Sequence, residues 1–317
     1  MSLPDQVREH CAKLAGRARW VSIDVDRLGS VEPGPEPALD PQKPGGSAPS
    51  GGHAPYSRAA PGTPPGYSAG TPPGYCREEV CAYWLTLDAI NFGSGWFPTL
   101  RKRPGCSGYF TVARSLADRF RSAGPWSASG LRLLSAGDVA EVLGQDPGHD
   151  LMDLYAEALR DLGRFLGDRE AVDVVDGAGG SAVALAEELA RGMPFFEDPG
   201  FYKRAQITPN DLSLAGVADF SDLDELTIFA DNLVPHVLRV DGVLRYAADL
   251  SFHIDSGQLL PPGAQEQEIR ACALHACELL SAGLEVPPRT LDLWLWNRGQ
   301  EPRYKAVPRH RTRTTFY

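Results

Sequence analysis

The segment AQEQEIRACALHACELLSAGL constrains the fold more than any other part of the chain, because its apolar side chains recur at the spacing of an α-helix. Positions i, i+3, i+4, i+7 and i+11 of one stripe are occupied by Ile269, Cys272, Ala273, Ala276 and Leu280. A stripe of this kind is stable when it is buried against other elements. The segment therefore predicts a long amphipathic helix in a packed core.

Similar stripes recur in the rest of the chain, in VARSLADRFRS and in DLMDLYAEALRDLGRFLG. Ser135 precedes a further helical pattern in the way that a helix N-cap would. Strand-like segments are few, and the two candidates, VSIDV and YWLTLDAI, are ambiguous. We therefore predict a mostly α protein that forms a single helical domain over residues 1–317.

A stretch dense in Gly, Pro, Ser and Ala interrupts this pattern between about residues 29 and 75. It contains the related copies PGTPPGY and AGTPPGY, which are too short to stack into a repeat architecture. Such a composition buries too little apolar surface to offset the entropy lost when the backbone is ordered. We predict a long irregular loop, inserted between an N-terminal helix and the main body.

The chain is acidic, with a net charge of −10 and a pI of about 5.2. Because binding to duplex nucleic acid needs a basic face, we expect no stable nucleic-acid complex. The exception is the stretch from Arg298 to Tyr317, which is rich in Arg and Lys. Two interpretations are open for this stretch: a solvated basic tail, or a surface that faces a phosphate.

The sequence has no apolar run long enough to span a membrane, and its N-terminal residues lack the apolar core of a secretion signal. Its six cysteines do not show the spacing of common zinc sites. Neither an HExxH motif nor a glycine-rich phosphate loop occurs. We therefore expect a cytoplasmic protein with reduced thiols that uses neither a metal nor a cofactor.

The stretch ELTIFADNLVPHVLRVDGVL is the most informative one for chemistry. Its apolar run ends at Asp231, and Pro235 marks the first turn of a following helix. Asp231 is therefore predicted to lie just ahead of that helix, within reach of its amide groups. The residues alone leave two interpretations open: an N-cap or turn aspartate, or a functional carboxylate.

Three further segments combine aromatic and charged side chains. Lys203 and Arg204 follow two aromatic residues in what we expect to be a short loop between helices, where they hold a phosphate or are solvated. Asp292 and Trp296 are one helical turn apart, which suits either a bound heterocycle or plain core packing. Asp88 belongs either to a core helix that ends in a turn or to a pocket wall.

Together these segments resemble the queuosine salvage protein family, the queuosine 5′-phosphate N-glycosylases/hydrolases. The resemblance runs from about Cys76 to the last residue and rests on LDAINFGSGWFP, FYKRAQI, TIFADNLVPHVL, GVLRYAADL, EIRACALHACELL, LDLWLW and PRHRTRTTFY. It implies a fold similar to that of the helix-hairpin-helix DNA glycosylases. It also implies a hydrolase that cleaves the N-glycosidic bond of queuosine 5′-monophosphate. The products would be queuine, salvaged towards tRNA modification, and ribose 5-phosphate.

The same resemblance implies a set of site residues, with Asp231 as the catalytic carboxylate. The side chains expected to bind the substrate are Phe229, Asp292, Trp296, Asn297, Lys203, His53 and Asp88. Phe229 would be a stacking wall, and Lys203 would meet the 5′-phosphate. Asn297 is a departure, since family members often carry an acid at that position.

Two alternative functions are compatible with the sequence. The first is a glycosylase that acts on modified tRNA or on damaged DNA, which would need a basic face that tracks a strand. The second is a protein that binds queuine without cleaving any bond. The leading hypothesis predicts the nucleotide queuosine 5′-monophosphate and the product queuine as small-molecule partners, and no membrane association.

Overall fold

The computed structural model describes residues 1–32 and 75–317, and most of these residues are helical. Their α-helices are α1 (Leu3–Ala15), α2 (Val25–Leu28), α3 (Arg77–Ala89), α4 (Gly108–Ala123), α5 (Ala128–Leu133), α6 (Ala136–Leu143), α7 (Asp150–Leu166), α8 (Ala171–Gly177), α9 (Ala182–Gly192), α10 (Lys203–Leu214), α11 (Leu233–Val240), α12 (Ala248–Asp255), α13 (Ala264–Leu284), α14 (Pro288–Arg298) and α15 (Pro302–Lys305). The strands β1 (Val21–Ile23) and β2 (Leu244–Tyr246) form one antiparallel pair. The predicted mostly α class is confirmed.

Several local predictions are also confirmed. The periodic segment that begins at Ala264 forms α13. The Ser135 hydroxyl accepts from the Asp138 amide, and the Asp138 side chain accepts from the Ser135 amide in return, which is a capping box. Of the two ambiguous segments, VSIDV contributes β1 and YWLTLDAI lies largely within α3. The partner strand β2 was not predicted.

Other expectations stay predictions. These are the single-domain organisation and the likeness to the helix-hairpin-helix DNA glycosylases. Most of the Gly/Pro-rich insert predicted at residues 29–75 lies outside the described residues, and so does His53.

Two large hydrophobic clusters make up the core. The first cluster is built mainly by α3 to α10, and the second by α1, β1, β2 and α11 to α14. The segment 226–230, which belongs to neither a helix nor a strand, joins them, because Phe229 is buried in the first cluster while Ile228 and Ala230 are buried in the second. The segment is therefore held from both sides. Asp231 follows directly at its end.

A buried ion pair connects the same region to two helices. Arg270 of α13 donates to both carboxylate oxygens of Asp198, at 3.0 and 2.6 Å, and both side chains are almost fully buried. The Arg270 Nε donates to the carbonyl oxygen of Ala230 at 3.0 Å. Asp198 in turn accepts from the amide of Lys203, the first residue of α10. One guanidinium therefore positions both the start of α10 and the residue before Asp231.

The C-terminal segment, residues 306–317, packs against the body of the protein. Its Tyr317 carbonyl oxygen accepts from the Gly93 amide at 2.9 Å, and its Arg311 carbonyl oxygen accepts from the Leu260 amide at 2.9 Å. Gly95 has no room for a Cβ, because the Thr312 carbonyl group occupies that space. The segment is therefore held at several points along its length.

The cysteines are free thiols, and Cys11, Cys81, Cys272 and Cys277 are buried. Burial raises the pKa of the Cys11 and Cys272 thiols to about 12, so these groups are protonated and inert near neutral pH. Among the described helices, none is long and apolar enough to cross a membrane.

We predict that Asp198→Ala lowers the free energy of unfolding by about 3–5 kcal/mol, because it leaves the buried Arg270 charge uncompensated. The measurement is chemical denaturation. Glu188→Ala is the control, since it breaks the more exposed Arg169–Glu188 ion pair and should cost no more than about 1 kcal/mol. Equal losses in the two variants would contradict this account of the ion pair.

Candidate functional site

A cavity of about 520 Å³ opens beside Asp231, and helices of both hydrophobic clusters contribute to its wall. This volume is within the range typical of small-molecule sites. Its aromatic lining includes Phe92, Phe97, Tyr109, Trp296 and Tyr304, and polar groups come from Asn91, Lys203, Asp231, Asn232, His236, Arg309 and Arg311. An apolar wall with a few convergent charges suits a flat, polar ligand.

Asp231 is half-buried and lies immediately before α11. Its Oδ1 accepts from the amides of Leu233 at 2.7 Å and Val234 at 3.1 Å, two of the donors that a helix N-terminus leaves unpaired. Its Oδ2 receives no hydrogen bond from the described residues. The predicted position ahead of the helix is confirmed, and one oxygen anchors the side chain while the other is available to a ligand.

Asp292 and Trp296 both lie on α14, as expected, but they have different surroundings. Trp296 lines the cavity and packs edge-on against Phe110 and Tyr109, at 5.8 and 6.2 Å between ring centroids. Asp292 is fully buried, and its Oδ1 accepts from the Phe229 amide at 2.9 Å. The Asp292 carboxylate therefore holds the backbone two residues before Asp231.

Phe229, Asp292, Asn297 and Asp88 are not among the described residues that line the cavity. Asn297 directly follows Trp296, and its buried Oδ1 has no hydrogen-bond partner in the part of the chain that the structure describes. Asp88 is fully buried in the last turn of α3 and accepts from the Asn91 side chain at 3.3 Å. Asn91 itself lines the cavity. The hydrogen bond to Asn91 therefore connects Asp88 to the site.

Lys203 lies at the start of α10, so the expected short loop between helices is wrong for this residue and for Arg204. Lys203 lines the cavity, and its Nζ donates to the Asn91 carbonyl oxygen at 3.0 Å. Arg204 is turned into the first cluster, where it stacks over Phe92 and donates to the Ala89 carbonyl oxygen. Only Lys203 of this pair contributes to the cavity.

The C-terminal segment supplies cavity residues that the sequence analysis did not assign. Arg309 and Arg311 line the cavity with Lys305 and Lys102, and Asp231 is the only Asp or Glu among the described lining residues. Burial lowers the pKa of Arg309, an effect that the nearby Asp231 charge opposes and that Arg311 strengthens. The sequence signal was the basic stretch after Arg298, for which the phosphate-facing interpretation had been left open.

His236 of α11 also lines the cavity. Its Nε2 lies 2.8 Å from the Tyr304 carbonyl oxygen, and burial lowers the pKa of its ring. The imidazole is therefore neutral near pH 7 and donates this hydrogen bond. Its role in the described structure is to fasten α11 to α15.

Comparison with known proteins assigns the chain to a family. Residues 72–317 match the sequence model of a family described as queuosine salvage protein, and this range contains every lining residue named above. The chain belongs to the queuosine salvage protein family. The match leaves out α1, α2 and β1, although β1 pairs with β2 inside the matched region.

Several relatives carry the name queuosine 5′-phosphate N-glycosylase/hydrolase. One from Sphaerobacter thermophilus is 36% identical over 280 residues, which is 80% of this chain and 87% of the relative. One from Mus musculus is 31% identical over 53% of this chain and 58% of its own length. One from Dictyostelium discoideum is 38% identical over 37% of this chain and 40% of its own length.

We predict that Asp231→Ala lowers the free energy of unfolding by about 0.5–2 kcal/mol, because two amides of α11 lose their acceptor. Asp231→Asn keeps an oxygen in the same place and should stay within about 0.5 kcal/mol of the parent protein. Chemical denaturation of the two variants checks this. Equal destabilisation would show that the carboxylate does not act on α11 through these hydrogen bonds.

Proposed function

We propose that this protein hydrolyses the N-glycosidic bond of queuosine 5′-phosphate and releases queuine and ribose 5-phosphate. Membership of the queuosine salvage family and the names of the relatives support the substrate. The observation that carries the chemistry is the Asp231 carboxylate, held by two amides at the wall of a cavity of nucleotide size. A small nucleotide is the proposed partner, and a cytoplasmic location stays a prediction.

The proposed reaction depends on charge that develops on the sugar. As the bond from C1′ to the base breaks, positive charge spreads over the ribose ring, and a fixed carboxylate nearby lowers the energy of that state. Queuine has carbon in place of N7, so protonation at that position cannot activate the leaving group. The sugar cation must therefore be stabilised directly, which is the role proposed for Asp231.

Two routes are open for the attack on C1′. Asp231 accepts a proton from a water molecule that attacks C1′, or it attacks C1′ itself and water then cleaves the glycosyl ester. Both routes use the oxygen that does not bind the amides of α11. In both, the bond from C1′ to N9 of the base is replaced by a bond from C1′ to a water oxygen, and the proton that this water loses ends on N9 of the departing queuine.

The remaining site residues are proposed to hold the nucleotide. Trp296 stacks against the base, and Lys203 meets the phosphate. The predicted contacts of Phe229, Asp292 and Asn297 with the base remain proposals. They are supported by position, because Asn297 follows Trp296 directly and Asp292 precedes it by one turn. We likewise propose that Asp88, acting through Asn91, and His53 contribute to binding of the nucleotide.

We predict that Asp231→Asn retains the fold but lowers the rate of queuine release from queuosine 5′-phosphate by at least about 10²-fold, because a neutral amide cannot offset the sugar cation. The measurement is chromatography of released queuine over time. Asp255→Asn is the matched control, because Asp255 is exposed and forms an ion pair with Arg239. This control should keep full activity.

Three outcomes would contradict the proposal. The first is no release of queuine by the parent protein, and tight binding of queuine without cleavage would then indicate a carrier. The second is undiminished release by Asp231→Asn. The third is cleavage of intact modified tRNA at a rate that matches the mononucleotide, which would favour a nucleic-acid glycosylase.

A further inference from the structure

Two consecutive residues ahead of α11, Asp231 and Asn232, line the same cavity. The peptide bond between them is trans, so their Cα atoms are about 3.8 Å apart. The Oδ1 of Asp231 is held by two amides of α11, and its Oδ2 accepts no hydrogen bond from the described residues. The proposed reaction so far uses only Asp231 of this pair.

The side chain of Asn232 is fixed by the C-terminal segment. Its Nδ2 donates to the carbonyl oxygen of His310 at 3.0 Å, and His310 is itself fully buried. A carbonyl oxygen can only accept, so the carboxamide must present its nitrogen to His310. This contact decides the orientation of the carboxamide, because its oxygen then points away from the His310 carbonyl group.

The Oδ1 atom of Asn232 is open to the cavity. Only 4% of the residue is exposed, and no group in residues 1–32 or 75–317 donates to this oxygen. Oδ1 is not one of the fully buried polar atoms that lack a partner, so it keeps some accessible surface, and the space that Asn232 lines is the cavity. Polar atoms in such surroundings are almost always hydrogen-bonded. This acceptor therefore calls for a donor from within the cavity.

Two open acceptors on neighbouring residues suit one water molecule. Water has two O–H groups, and when fixed acceptors take both of them, its lone pairs point away from the acceptors. Asp231 alone would hold one O–H group and leave the water free to rotate about that bond. A second acceptor on Asn232 removes this rotation, and orienting a reactant before the reaction lowers the barrier.

We propose that Asn232 is a catalytic residue that orients the attacking water through its Oδ1, together with the Oδ2 of Asp231. As the water oxygen bonds to C1′, the bond from C1′ to N9 breaks and its electron pair leaves with queuine. One water proton passes to Asp231 and then to N9. The second proton stays on the new hydroxyl group of ribose 5-phosphate, where Asn232 accepts from it. The inference rests on the proposed function.

Two variants separate the acceptor of Asn232 from its donor. Asn232→Ala removes both, whereas Asn232→Asp keeps an oxygen in the place of Oδ1 and loses the donor to His310. In Asn232→Ala we expect kcat for release of queuine from queuosine 5′-phosphate to fall about 10-fold, the loss of one hydrogen bond to the water, with KM changed by less than about 3-fold. Asn232→Asp should keep at least about a third of the parent kcat, since the basic lining offsets its added charge.

Competition between water and methanol tests the orientation of the attacking molecule directly. Methanol has a single O–H group, so it needs Asp231 but no second acceptor, and its attack yields the methyl glycoside of ribose 5-phosphate. At one fixed methanol concentration, the share of methyl glycoside should rise at least about 3-fold in Asn232→Ala, because only water loses a hydrogen bond there. It should match the parent protein in Asn232→Asp. Chromatography of the sugar phosphates gives this ratio.

Arg313→Gln is the matched control for a loosened C-terminal segment. Arg313 lies on the same segment as His310, but its guanidinium stacks over Trp96 and pairs with Asp150, outside the cavity lining. This variant should keep the kcat, the KM and the product ratio of the parent protein.

Thermal unfolding shows whether the variants are folded, and both Asn232 variants should lose similar stability because both lose the donor to His310. Parent-like kcat in Asn232→Ala would overturn the inference while the proposed function stands. Equal losses of kcat in both variants with an unchanged product ratio would do the same, since Asn232 would then only anchor the C-terminal segment.

Asn232→Asp decides the question alone if Asn232→Ala does not fold. A loss of kcat as large as that expected for Asn232→Ala would then overturn the inference, because the acceptor is still present, and near-parental kcat with the parent product ratio would support it. If the parent protein releases no queuine, the proposed function itself fails.

Discussion

The buried ion pair between Arg270 and Asp198 is the interaction on which the site depends most. Burying two charges is costly, and the cost is offset here by two direct hydrogen bonds and by further bonds to backbone. Arg270 also binds the Ala230 carbonyl oxygen, and Asp198 also binds the Lys203 amide. Asp231, the residue after Ala230, and Lys203 both line the cavity. Their relative position is thus fixed from within the core.

Several other carboxylates in the described structure accept hydrogen bonds from backbone amides. Asp292 holds the Phe229 amide, and Asp231 holds two amides at the start of α11. Glu268 similarly accepts from the Trp20 amide, which joins α13 to the segment before β1. Each of these contacts satisfies a donor that secondary structure leaves unpaired. The acidic residues therefore serve the fold as well as the chemistry proposed for Asp231.

Charge is distributed unevenly between the surface and the cavity. The C-terminal segment brings Arg309 and Arg311 beside Asp231, so opposite charges face the same small space without an ion pair between them. A phosphate near the arginines and a sugar cation near the carboxylate would each find a complementary charge. The proposed recognition of a nucleotide is therefore compatible with the acidity of the protein as a whole.

The sequence by itself determined the helical class, α13, the N-cap at Ser135 and the position of Asp231 ahead of α11. These features depend on side-chain spacing and on contacts between residues that are close in the chain. Only the tertiary structure decided that Asp292 binds the Phe229 amide and that Arg204 faces the core. It also decided that Arg309 lies at the cavity near Asp231. These placements depend on packing between segments 63 to 115 residues apart, and helical periodicity carries no information about such distances.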